Sequence, residues 1–240
     1  MKRTPLARKP ARRKPLKPRI CKAPLCSETF VPVNGLQQTC SRVECALELV
    51  RHRQAKQERA EAKKAAMQAR REHAEAKERV KPLPKLRSEA AEAIHKLVRE
   101  LDLGAGFDCI TCNGRKAITD PIRGGAYDAG HFHSRGSNPG FLAFSPLNIH
   151  AQCKACNASG GHTRQEYRDG LLRRYGPALV DFLDGAHPTQ HYRAEDYRRM
   201  RDEARATLKF HNQLRREGDV ICPILFRQEL LRAEIARRAG

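Results

Sequence analysis

The sequence predicts an α+β protein, mostly helical, with two small modules held together by metal. Three observations predict this class. Two sets of four cysteines stand at residues 21 to 45 and 109 to 156. Around them run long stretches of strong helix formers, or of apolar residues at helical spacing. Only the segment from 107 to 162, around the second set, has the Gly, His and Asn content of short strands and loops.

The 240 residues suffice for one sizeable domain with attachments, or for two small ones. Lys and Arg number 47 against 27 acidic residues, a formal charge of +20, and Trp is absent. So large an excess of cation, clustered as it is, favours a polyanionic partner over a merely soluble surface. No run approaches the roughly 18 apolar residues of a membrane helix, and the start of the chain lacks the apolar core of a secretory signal. The expected location is therefore the cytoplasm, with no membrane partner. Thiols stay reduced there, so the nine cysteines point to metal before disulfides.

Residues 1–19 interleave Pro with nine Lys or Arg, which blocks helix formation and leaves nothing to bury. They read as a disordered basic arm, either a solubilising tail or a phosphate contact through Arg12, Arg13 and Lys14. Residues 20–46 form the first four-Cys module. From 47 to 85 the chain reads as one long charged linker helix whose apolar content after Val50 is nearly all Ala, until Pro82 and Pro84 end the run. A shorter amphipathic helix from about Ser88 carries Ala90, Ile94, Leu97, Val98 and Leu101, and the LGAG at 103 to 106 closes it. It opens the segment 86–185, which holds the second Cys set and flanking helices. Within that segment Tyr167, Leu171, Leu172, Tyr175, Leu179 and Leu183 mark a helix interrupted at Gly176 and Pro177. Residues 186–240 form a C-terminal helical region, with one helix over about Ala194 to Leu214 and a last one from near Leu225.

In the first set, Cys21 and Cys26 are followed after thirteen residues by Cys40 and Cys45. Two pairs of thiolates on tight turns can close a tetrahedron around Zn2+ and so supply folding free energy to a segment too small for its own core. Four thiolates leave no open coordination position, so this zinc is expected to be structural. The second set, Cys109 and Cys112 with Cys153 and Cys156, is a double C-x-x-C and a stronger zinc signal than a redox motif. Its forty-residue insert is long for a simple ribbon and should hold something functional. Cys222 is left over, a buried or free thiol.

Inside the insert, DAGHFHSRG at 128 to 136 and SPLNIHAQCKACNASGGH at 145 to 162 gather Asp128, His131, His133, Asn148, His150, Asn157 and His162. Phosphodiester hydrolysis needs a base to activate water and a cation to offset charge on the phosphate. Histidine can be the base, while Asp and Asn oxygens suit a hard divalent ion.

At these residues the chain resembles the HNH, or His-Me-finger, nucleases, and in particular the zinc-stapled phage endonuclease VII. The resemblance covers about 107 to 162 and implies a ββα-metal core stapled by the second zinc. It implies His131 as general base and Asn148 as the residue that fixes the loop. Asn157, directly after Cys156, and Asp128 would be ligands of a catalytic Mg2+ or Mn2+. The family usually has Asp directly before the base, whereas Gly130 precedes His131 here. Asp128 would reach the metal if the hairpin bulged at Ala129 and Gly130; otherwise His133 or water would fill that place. His133 is a helper or a bystander, and would share the face of His131 on a strand. Arg135 is a phosphate contact or a generic surface Arg. His150, His162, His187, His191 and His211 read as packing or surface residues.

Taken together, the basic arm, first Cys set, charged helix and both insert segments resemble the phage lambda NinG family, also called Rap, over most of the chain. That resemblance implies a recombination protein cutting Holliday junctions and D-loops with a divalent cation. The expected partners are branched DNA, other phage recombination proteins and a second copy of the chain, since resolving a junction takes two cuts. The competing class is a non-enzymatic zinc-finger protein that binds or anneals DNA, to which composition points equally well. A sequence-specific regulator fits less well, because no recognition helix or zipper pattern is present.

Overall fold

In a computed structural model, which describes residues 16–115, 126–134, 140–158 and 160–239, the chain divides into two compact units, Met1–Val80 and Lys81–Gly240. The expected phosphate contacts Arg12, Arg13, Lys14 and Arg135 lie outside the described residues.

The first unit is a cysteine-centred knuckle running into one helix. Strands β1 (Arg19–Ile20) and β2 (Thr29–Phe30) pair antiparallel, Arg19 opposite Phe30. Helix α1 follows as Val43–Arg79, and of its 37 residues only Cys45 is buried. Its length comes from propensity and from hydrogen bonds such as Gln57 to Glu61 and Gln68 to Glu72, both i to i+4.

The second unit is built on α2 (Leu83–Gly104). This helix begins earlier than its apolar spacing suggests. Pro84 sits in the first turn, where its missing N–H would have no partner anyway and its fixed φ suits the helix. Leu86, Ala90, Ile94, Leu97, Val98 and Leu101 are buried along one stripe.

Across that stripe lies an antiparallel hairpin, β3 (Tyr127–His131) with β4 (Ile149–Cys153), joined by a loop that contains the short helix α3 (Phe141–Phe144). One turn, α4 (Lys154–Asn157), ends the hairpin. Helix α5 (Arg164–Tyr175) starts at a capping box in which Thr163 and Glu166 exchange hydrogen bonds. Gly176, at φ +83°, breaks it from α6 (Pro177–Asp184). Helices α7 (Ala194–Arg216) and α8 (Pro223–Ala239) complete the chain.

Residues 186–240, set apart by their sequence, belong to this same unit. Ala204, Leu208 and Tyr197 of α7 share a core with α2, Phe144 and Ile149. Leu231 of α8 joins a second core with Phe132, Leu142, Tyr167 and Leu171. The apolar stripes of α2 and α7 each lack a partner until they meet, which is why the C-terminal helices fold back.

The hairpin thus lies between two layers. Its Ala129 and Ile149 face the α2 core, and Tyr167 of α5 donates its hydroxyl to the Gly130 carbonyl at 2.9 Å.

At the centre, Asp102 of α2 and Arg227 of α8 form a fully buried pair, with guanidinium nitrogens 2.8 and 3.1 Å from the two carboxylate oxygens. Arg227 also donates to the carbonyls of Ile149 and Pro146, and Asp102 accepts from the Ala151 N–H at 2.9 Å. This network fixes β4 to both helices. Among the described residues, no helix is long and apolar enough to cross a membrane.

Candidate functional site

Both cysteine sets close up. In each, the four sulfurs lie within 4.8 Å of one another. In the second set Cys112 Sγ and Cys153 Sγ are 3.8 Å apart, matching the roughly 3.8 Å edge of a tetrahedron whose corners lie about 2.3 Å from a central zinc. Local geometry explains the approach. A turn that includes Asn113 in the left-handed region (φ 49°) bonds Asn113 N–H to the Cys109 carbonyl, and Ile110 N–H donates to Ala151 on β4. Cys153 ends β4, and α4 brings Cys156 round to face it.

Within each set, burial, neighbouring thiols and backbone N–H groups pull the cysteines in different directions. Burial pushes Cys156 up strongly, and neighbouring Cys153 adds to it. Burial also raises Cys109, but N–H groups of Cys112, Cys153 and Thr111 outweigh it and bring the thiol down. In the first set, burial opposes the N–H groups of Ala23 and Cys40, which win and hold Cys21 down to about 7. Cys40, then burial, pushes Cys45 up to about 12. A dication at the centre removes the cost of gathering thiolates. The donor chemistry of both sets fits a closed, structural zinc.

Next to the second set, Asn157 Nδ2 is 3.2 Å from Asp128 Oδ2. Cys156 positions Asn157 by adjacency in α4, and Asp128 lies on β3 opposite Gln152. There is no bulge at Ala129 and Gly130: register runs unbroken from Tyr127 opposite Cys153 to His131 opposite Ile149. Gly130 serves a different need, since a Cβ there would stand 2.0 Å from Gln152 Oε1.

Asn148 is fully buried and clamps the loop. Its Oδ1 accepts from His133 N–H at 2.8 Å, while its Nδ2 donates to the carbonyls of His133 and Leu142 at 2.9 and 3.0 Å. That clamp takes the backbone of His133 out of strand pairing, so His133 does not continue β3 with His131. The His133 ring instead lies 3.5 Å from Asp184 and 3.3 Å from Arg164, and burial followed by Arg164 holds its pKa below the ordinary value.

His131 and Asp128 are three residues apart on a regular strand, hence on opposite faces and about 10 Å apart along it. His131 faces α2. Its Nε2 is 3.4 Å from the Ala143 carbonyl, and its ring meets the His95 ring edge-on at 5.1 Å.

On Asp128's face stands His162, which its sequence context marks only as a packing or surface residue. Its Nδ1 lies 2.6 Å from the Cys156 carbonyl and 3.2 Å from Gln152 Nε2. The Cys156 carbonyl can only accept, so this contact is a hydrogen bond in the tautomer with the proton on Nδ1. The signal for it was a histidine six residues after the fourth cysteine, just ahead of the Thr163 cap. His150 is fully buried beside Tyr167, and burial, then Arg227 and Arg174, drives its pKa well down.

The model of the bacteriophage lambda NinG protein family matches residues 13–216. Protein ninG of Salmonella phage P22 is 32% identical over 199 residues, covering 80% of this chain and 92% of that protein. Protein ninG of Escherichia phage lambda matches with the same identity and coverage. Protein ninG of Escherichia phage 933W is 29% identical over 118 residues, 49% of this chain and 54% of its own. No solved structure matches the chain. The matched span takes in both cysteine sets, the hairpin between α2 and α5, and all of α7, and on that breadth the chain belongs to the bacteriophage lambda NinG family.

Proposed function

We propose that this chain is a metal-dependent endonuclease that cuts branched DNA during phage recombination. The observation that carries the reading is the meeting of Asp128 and Asn157 beside the second cysteine set. Two oxygen-bearing groups, 29 residues apart in sequence, are held together by a closed scaffold and left open to solvent.

One carboxylate and one amide oxygen suit magnesium or manganese, which keep several waters and bind through few protein ligands plus a phosphate. Turning the Asn157 amide presents Oδ1 where Nδ2 now faces Asp128. Such an ion, when bound, offsets the charge that gathers on the phosphate and the departing 3′ oxygen. The chain's own part is to hold that site rigid, fix the loop through Asn148, and accept a proton from the attacking water.

Two histidines are candidates to accept it, one on the far face of the hairpin from Asp128 and one on the same face. His131 is the base that the family resemblance implies, with its Nε2 beside the Ala143 carbonyl. His162 shares the face of Asp128 and has its tautomer fixed by Cys156. Structural zinc in both cysteine sets takes no part in chemistry.

The test is nicking of a synthetic four-way junction with added magnesium, against linear duplex, by wild type and by Asp128→Ala, His131→Ala and His162→Ala. Wild type should cut the junction, and Asp128→Ala should be slowed at least about 100-fold. Loss in His131→Ala with His162→Ala active assigns the base to His131; the reverse assigns it to His162. A wild-type protein that binds the junction without cutting it is a zinc-finger DNA-binding protein, and the enzymatic reading fails.

A further inference from the structure

Between α2 and α7 runs an open cleft of about 580 Å³. Lys96 of α2 and Arg205, Lys209 and Arg216 of α7 line it, with Glu89 and Glu92 on the α2 side. All four cations are exposed.

Glu89 is already engaged, 2.9 Å from Lys81 and 2.9 Å from Arg201. Its hydrogen bond to Lys81 outweighs burial and, with Arg201, keeps its carboxyl below the usual range. Glu92 alone remains against four positive side chains, none of which has a carboxylate partner among the described residues.

Elsewhere on α7 the pattern is the opposite. Arg198 pairs with Glu195, Arg199 with Asp196, Arg201 with Glu89 and Asp202, and Arg215 with Glu100. Arg205 and Lys209, at i and i+4, form a like-charge pair that costs helix stability. Four other cations of α7 thus have carboxylate partners, whereas the three that line the cleft have none among the described residues.

We propose that this cleft seats the phosphate backbone of DNA. Arg205 to Arg216 spans about 16 Å of helix, against one phosphate per roughly 3.4 Å along a strand, so a polymer engages the row as no small phosphate can. Contacts of this kind hold and orient DNA without reading its bases. The inference rests on the proposal that DNA is the substrate, and is independent of whether the chain cuts it.

The experiment is fluorescence anisotropy of a labelled four-way junction, without added magnesium, over a salt series. The variant K96Q/R205Q/K209Q/R216Q should bind at least about tenfold more weakly at 0.1 M salt, and its slope of log K against log salt should shrink by roughly 2 to 4. Arg232→Gln with Arg237→Gln on α8, whose cations already pair with Glu229 and Glu234, should stay near wild type. Glu92→Gln should tighten binding. Should the fourfold variant melt early or lose zinc, Glu92→Gln and Lys209→Gln read the same effect with opposite signs.

Wild-type affinity and slope in a well-folded fourfold variant would overturn the inference. Cutting by wild type with binding indifferent to the cleft sinks this inference alone. Cleft-dependent binding with no cutting sinks the nuclease reading alone.

Discussion

Asp102 and Arg227 illustrate how much one buried pair can govern. Both are almost wholly shielded, and their charges are matched by two parallel hydrogen bonds and by backbone groups of β4. Removing one partner strands the other's charge in the interior, so Arg227→Met should lower unfolding stability by about 3 to 5 kcal/mol, measured by urea denaturation of the zinc-loaded protein. Adding Asp102→Asn should recover part of that loss, because no net charge is then left buried. A single variant within about 1 kcal/mol of wild type would contradict the network. No local pattern announces this pair: an Asp on an amphipathic helix and one Arg among many, 125 residues apart, have no signature in the sequence. Asn148 was legible because its neighbours form a recognisable motif. The partition of His131 and Asp128 to opposite faces was not, since it depends on whether β3 bulges, and the unbroken register comes from cross-strand contacts such as Gly130 against Gln152.

At the scale of elements, helical periodicity is plain in the sequence, whereas the residues that start and stop a helix are ambiguous. The spacing of Tyr197, Met200, Ala204, Leu208 and His211 marks α7, and all are buried except Met200, which is half-buried against the same core. The start of α2 was misjudged because proline breaks a helix interior yet suits its first turn. Strands β1 and β2, two residues each, are too short to show alternation; the cysteines flanking them hold them in place. Helix α1 makes the clearest element-level prediction. It buries only Cys45, so its stability is that of a solvated helix. Ala65→Gly with Ala66→Gly should cost about 2 kcal/mol of local helix propensity and lower the helical circular dichroism signal. The melting transition of the Lys81–Gly240 unit should not move. A matching fall in that transition would mean that α1 packs against more than its own residues show.

For the whole molecule, the two cysteine sets fall in different compact units, so they should fail separately. Quantification should find two zinc equivalents per chain. Cys21→Ser should remove one and leave the Lys81–Gly240 unit folded, whereas Cys109→Ser should remove the other and, with it, the fixed position of Asn157. One equivalent in wild type, or joint loss on either substitution, would refute separate modules. The Asp102–Arg227 tie also sets a clock. On the ribosome, Asp102 emerges 125 residues before its cation, which at about 5 to 20 residues per second is a wait of roughly 6 to 25 s. Through that interval Asp102 has no counter-charge, so the core must close late in synthesis, after α8 has been made.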